Sequence, residues 1–134
     1  MNPVTQQDQL GCSAACISFI AQKNYVEVVS LLGKEHANSR GFYCKDLIAV
    51  LATLGFSYSY KYIKPRLKNR IYQDGAIVFI RKSKNCPDGH YLTRFEGQWM
   101  DPWINFPKDN NVNNARSGFR KRLPGKPIYI LFPN

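Results

Sequence analysis

Residues 6–22 read QQDQLGCSAACISFIAQ. A polar approach ends at Gly11, and a run of small and apolar residues follows. Ala15, Cys16, Ile17, Phe19 and Ile20 fall at helical spacing, which predicts a helix over 12–22 with one apolar face. Gly11-Cys12-Ser13 then places Cys12 in or just before the first turn, where orphan N–H groups and the helix dipole favour an anion.

Two further helices fit the N-terminal half. YVEVVSLL (25–32) reads as a short helix stopped at Gly33, although its β-branched residues also suit a strand. CKDLIAVLATL (44–54) puts Leu47, Ile48, Leu51 and Leu54 on one stripe, with Gly55 as C-cap. The pattern then changes to strands. YSYKYI (58–63) alternates, AIVFIR (76–81) is a short buried-type run, and PIYILF (127–132) closes the chain. HYLTRFE (90–96) and QWMDPW (98–103) flank Gly97 as a hairpin. Pro65 to Asn69 reads as a basic turn and SKNCPDG (83–89) as a loop. The polar stretch 105–126 is expected to be a basic extension and the least ordered part. Helices first and strands second predict an α+β domain spanning 1–134, with N-terminal helices packed on a mostly antiparallel C-terminal sheet.

Composition narrows the class. An apolar content of 44% excludes a disordered chain. The formal charge of +10 favours acidic partners such as nucleic acid, anionic lipid or an acidic protein. The N-terminus MNPVTQQDQL lacks the apolar segment of a signal peptide, and no run approaches the ~18 apolar residues of a membrane helix. A cytoplasmic site of action is therefore expected, with Cys12, Cys16, Cys44 and Cys86 as thiols. No CxxC pair occurs, so a structural zinc is not expected, and no cofactor is expected because thiol chemistry needs none.

Cys12, at a helix start, is the candidate nucleophile. Cys16, one turn on, is expected in the core. Cys44 also opens a helix, and Cys86 is expected to be an exposed loop thiol. A thiol nucleophile needs a base that also stabilises its thiolate. Of the two histidines, His36 lies in the polar stretch KEHANSRG and reads as solvated surface. His90 starts a strand after Gly89, which permits close approach. Asp101 lies across the predicted hairpin, held extended by Pro102, and could fix the imidazole tautomer. A glutamine just upstream of the thiol could donate to an oxyanion beside the Cys12 N–H. Gln6, Gln7 and Gln9 are all close enough by spacing.

The set in this order resembles the papain-like bacteriocin-processing peptidases. These are the double-glycine leader peptidase domains at the front of certain export transporters, with their stand-alone relatives. The resemblance runs through Gln6, Cys12-Ser13-Ala14-Ala15-Cys16, Gly75-Ala76-Ile77-Val78, His90-Tyr91 and Asp101-Pro102, and through GFYCKDLIAVLATLGF as the middle helix. It spans about residues 6–102. Ser13 stands where the family has glycine, and the spacing from His90 to Asp101 is short. With no transporter segment in these 134 residues, a stand-alone form is expected.

The resemblance implies a papain-like cysteine peptidase or related amide hydrolase acting on a peptide or protein. In it Cys12 is the nucleophile, His90 the general base and acid, Asp101 the orienting acid and Gln6 the oxyanion donor. The same constellation serves deamidation, thioester hydrolysis and acyl transfer.

A second expectation comes from the basic clusters. Lys61, Lys64, Arg66, Lys68 and Arg70 form one, and Arg116, Arg120, Lys121, Arg122 and Lys126 another. Tyr58, Tyr60, Tyr62 and Phe119 are interleaved with them. Such mixtures can hold phosphates and stack on bases, which would make the chain a nucleic-acid- or protein-binding module on the same scaffold. A toxin or effector steered to an acidic target is the third reading.

Overall fold

Three helices form where caps and apolar runs coincide. In the computed structural model, which describes residues 1–134, α1 spans Cys12–Ala21, α2 Tyr25–Leu32 and α3 Cys44–Thr53. Asn24 caps α2 by accepting the Val26 N–H at 2.9 Å, and Gly33 ends it. At α3 the Asp46 carboxylate accepts the Tyr43 N–H at 2.9 Å, tying the first turn to the residue before it. Helix α1 departs from the expected single apolar face. Its residues from Ser13 through Phe19 are all buried. It is the central helix, touching α2, α3 and the sheet, and its small side chains let those neighbours close around it. No helix is long and apolar enough to cross a membrane.

Six strands follow: β1 (Tyr58–Tyr62), β2 (Ile77–Ile80), β3 (His90–Phe95), β4 (Gln98–Asp101), β5 (Gly118–Arg120) and β6 (Pro127–Pro133). They form one antiparallel sheet in the order β1-β6-β2-β3-β4-β5. The period of two splits each strand between two cores. Ile77, Tyr91, Met100 and Leu131 pack against the helices. Val78, Ile80, Leu92, Trp99, Ile130 and Phe132 pack on the opposite face with Ile71. This two-sided burial explains why β2 and β6 read as continuous apolar runs.

The stretch 105–126 corrects its expectation. It carries a 3-10 turn at Val112–Asn114 and the edge strand β5, paired to β4. Its amides bond one another. Asn105 accepts the Arg116 N–H at 2.9 Å and donates to the Asn114 carbonyl at 3.1 Å, and Ser117 meets Thr5 at 2.7 Å. Polar composition here marks a loop folded on its own side chains.

Two of the interleaved aromatics are also corrected. Tyr58 is buried, and its hydroxyl donates to the Gly75 carbonyl at 2.8 Å. Phe119 packs edge-on against Phe19. Tyr60 and Tyr62 alone remain exposed.

Candidate active site

The sheet register assembles the polar residues. Arg94 lies opposite Trp99, and Trp99 opposite Arg120. Counting by twos along each strand, His90, Asp101 and Arg120 share that face. Diagonal neighbours across strands are within reach of long side chains. His90 Nε2 lies 2.6 Å from Asp101 Oδ1. The same oxygen accepts the Trp103 N–H at 2.9 Å, and Arg120 Nε stands 3.1 Å from Oδ2 as an ion pair rather than an aligned hydrogen bond. Asp101 is only 2% exposed and His90 13%.

Cys12 is the first residue of α1. Gly11 provides no side-chain cap, and neither backbone nor side chain accepts the Cys12 N–H. The thiol approaches β3, where its sulfur accepts the Tyr91 N–H at 3.4 Å. Tyr91 follows His90 on β3, so the sulfur lies beside the imidazole, and Cys12 and His90 line one cavity. With Nε2 on Asp101, Nδ1 is the ring nitrogen left free. Cys12, His90 and Asp101 are thus brought together in the expected order.

Electrostatics fix the charge states. Burial opposes a charged imidazole, but hydrogen bonds and charge from Asp101 and Cys12 outweigh it and push His90 up to about 10. Burial likewise works against the Asp101 carboxylate, yet His90, the Trp103 N–H and Arg120 hold it below the usual range. Burial pushes the thiols of Cys16, Cys44 and Cys86 up, so these three are held neutral. Cys16 is fully buried, as expected. Cys86 is also buried rather than exposed, because the turn from Ser83 to Gly89 folds over it.

Gln6 differs from its expected orientation. Of the three upstream glutamines it alone is buried, and it lines the same cavity as Cys12 and His90. Its amide nitrogen does not aim beside the thiol. Nε2 donates to the carbonyls of Asp8 at 3.0 Å and Gln9 at 3.2 Å, while Oε1 is buried without a partner.

Several positioning residues carried no sequence signal. The loop before Cys12 is clamped by Tyr25, which donates to Asp8 Oδ2 at 2.8 Å and accepts the Asp8 N–H at 3.2 Å. Asn38 accepts the Gln9 N–H at 2.7 Å. Gly11 is glycine because a Cβ there would lie 2.0 Å from the Tyr25 hydroxyl oxygen. Gly89, by contrast, was expected to permit close approach before His90, and it does: its φ is +75° and a Cβ would lie 2.2 Å from Phe79. Arg120, read from sequence as part of a nucleic-acid cluster, is paired to Asp101. The Tyr25–Asp8 and Asn38–Gln9 partners sit 17 and 29 residues apart, and Arg120 meets Asp101 across a strand register, beyond the reach of any local pattern.

A cavity of about 680 Å³ opens beside the thiol. Phe42, Tyr43, Phe79, Tyr91 and Tyr129 give it an aromatic wall, and Gln6, Cys12 and His90 lie along it.

No protein-family model matches the sequence, and no curated protein does. Solved structures do match in fold. The peptidase domain of Streptococcus ComA, a bi-functional ABC transporter involved in a quorum sensing pathway, superposes with a TM-score of 0.60 at 18% identity, covering 98% of this chain and 96% of that one. A double glycine motif protease from an AMS/PCAT transporter, solved with its leader peptide, gives 0.60 at 12% identity, covering 98% and 89%. The peptidase domain of Streptococcus mutans ComA gives 0.55 at 18% identity, covering 100% and 99%. The likeness therefore extends past residue 102 to include β5 and β6. The chain has the papain-like fold of the double-glycine peptidase domains: N-terminal helices on a six-stranded antiparallel sheet.

Proposed function

We propose that this chain is a cysteine peptidase acting on peptide substrates. The observation that carries the reading is the His90–Asp101 pair at 2.6 Å with the Cys12 sulfur held by the N–H of Tyr91, the residue after His90. The nucleophile is the Cys12 thiolate, with its proton passed to His90. The Cys12 sulfur attacks the scissile carbonyl carbon, and the carbonyl oxygen becomes an oxyanion. That oxygen is met by the free Cys12 N–H and by a Gln6 N–H, released from a loop carbonyl. The carbon–nitrogen bond breaks as His90 gives its proton to the leaving amine. Water then attacks the thioester, His90 takes its proton, and the acid product leaves with the thiolate regenerated. Asp101 holds the imidazole in its tautomer throughout.

The likeness to a protease solved with a leader peptide supports a peptide substrate, and the aromatic groove supplies room for one. Cleavage after a small residue such as glycine is the favoured activity. Incubating the full chain with double-glycine leader peptides and following products by mass spectrometry tests this. Cleavage lost in Cys12→Ala, with the fold intact by circular dichroism, is the expected result. Equal cleavage by that variant would exclude Cys12 as nucleophile.

A further inference from the structure

Among the residues that line the cavity beside Cys12, two buried side-chain polar atoms have no partner. One is an acceptor, Gln6 Oε1, and the other a donor, Trp103 Nε1. The other unpaired buried atoms belong to Ser13, Arg94 and Arg120, none of which lines this cavity. A buried polar group left unmade is costly, and a buried indole N–H usually finds an acceptor. The two residues are neighbours. The Gln6 N–H donates to the Pro102 carbonyl at 3.2 Å, and Trp103 is the next residue.

Trp103 is held by the carboxylate that holds His90. Its backbone N–H donates to Asp101 Oδ1 at 2.9 Å, the oxygen that His90 Nε2 meets at 2.6 Å. Trp103 is buried, and its ring packs edge-on against Phe106 at a centroid distance of 4.9 Å. The Gln6 amide is less settled. Its Nε2 donates to the carbonyls of Asp8 and Gln9, and turning one N–H to an oxyanion gives up one of those bonds. An amide that has given up a bond needs another to keep its new orientation. Oε1 is the atom with capacity left.

We propose that Trp103 is a positioning residue for the oxyanion donor: its Nε1–H donates to Gln6 Oε1 once the Gln6 amide turns toward Cys12. This rests on the peptidase reading and on Gln6 as its oxyanion donor. Each unpaired atom then satisfies the other. The turned amide accepts from the indole at Oε1 and donates to the oxyanion at Nε2, so each bond strengthens the other. Asp101 thereby sets two parts of the site, the imidazole directly and the oxyanion donor through Trp103.

The test uses the full chain and a saturating peptide aldehyde ending in Gly-Gly. The Cys12 sulfur bonds to the aldehyde carbon and the carbonyl oxygen takes the thiol proton, which gives a tetrahedral adduct. Indole N–H signals are followed by nuclear magnetic resonance, with Trp99, packed against Tyr72 and Arg94, as the internal control. In the adduct the Trp103 signal is expected to move downfield and to exchange more slowly with water, while Trp99 stays. In Gln6→Ala the same adduct should leave the Trp103 signal in place. Kinetics on a double-glycine leader peptide give the second readout. Trp103→Phe keeps a ring and removes the N–H. It should lower kcat by about tenfold with KM unchanged, the size of one neutral hydrogen bond, and have no further effect in Gln6→Ala. The signal readout needs no change at Trp103, so it decides the question even where Trp103→Phe fails to fold. A Trp103 signal that stays in the wild-type adduct, or moves equally in Gln6→Ala, would overturn the inference and leave the peptidase standing. So would an equal Trp103→Phe loss with and without Gln6. Absence of any Cys12-dependent adduct or product would overturn both.

Discussion

Arg120 Nε stands 3.1 Å from Asp101 Oδ2, so the shortest strand of the sheet holds the carboxylate that holds His90. Asp101 is nearly without solvent and uses both oxygens. A buried carboxylate kept ionised needs such partners. Arg120→Ala is expected to lower turnover by about tenfold, a loss of about 1.4 kcal/mol in transition-state stabilisation. It removes a cation that helps lower Asp101, so the acid limb of the pH–rate profile moves up. Arg120→Lys restores the limb in part. A pH–rate profile of the three proteins checks this, and an unmoved acid limb in Arg120→Ala would contradict it.

The charge states of His90 and Asp101 also shape stability. His90 is raised from 6.5 to about 10, so its contribution is complete below 6.5 and is lost as pH rises through 10. Asp101 is lowered from 3.8, so its contribution is complete above that value and is lost as pH falls through the folded one. Wild type should therefore exceed Asp101→Asn in Tm most between about pH 4 and 6.5, with the gap narrowing toward pH 10. Thermal melts at pH 5, 8 and 10.5 measure it; a constant gap would contradict the pairing.

The clamp on the approach to Cys12 predicts a coupled pair. Gly11→Ala places a methyl 2.0 Å from the Tyr25 hydroxyl oxygen and should destabilise by about 2 kcal/mol. Tyr25→Phe alone gives up the bonds to Asp8, costing about 1–2 kcal/mol. In the Tyr25→Phe background Gly11→Ala should cost less, because the clashing oxygen is gone. Urea melts of the four proteins form the cycle, and strict additivity would contradict it.

Gln6 is the residue whose sequence expectation and observed geometry differ most. If its amide turns one N–H to the oxyanion, Gln6→Ala should reduce kcat by about 10²–10³ with little change in KM. Gln6→Glu should do no better, since a carboxylate lacks the N–H. A loss confined to KM would assign Gln6 to loop structure alone.

The legible part of this chain was the part written in local periodicity. The apolar stripe of α3, the alternation around β1 and the Gly97 turn all report nearest neighbours, and each element lies where its pattern predicts. Cys12, His90 and Asp101 stood out because each opens or closes such an element. The rest depends on register. Arg120 reads as one more cation in a basic run until β4 pairs with β5 and sets it diagonal to Asp101. Strand β5 has only three residues and no apolar alternation, so composition could not announce it. Cys86 reads as exposed because a seven-residue polar loop gives no sign that it folds back on itself.

The central claim of the proposed function is that Cys12 is the nucleophile and His90 its base. The most direct measurement is intact-mass spectrometry of the full chain treated with iodoacetamide at pH 6, alongside Cys12→Ser and His90→Ala. Ordinary thiols are almost wholly protonated at that pH and label slowly. One rapid adduct on wild type, absent from Cys12→Ser and slowed in His90→Ala, is the predicted result. Slow labelling spread over several cysteines, or rapid Cys12 labelling indifferent to His90, would contradict it.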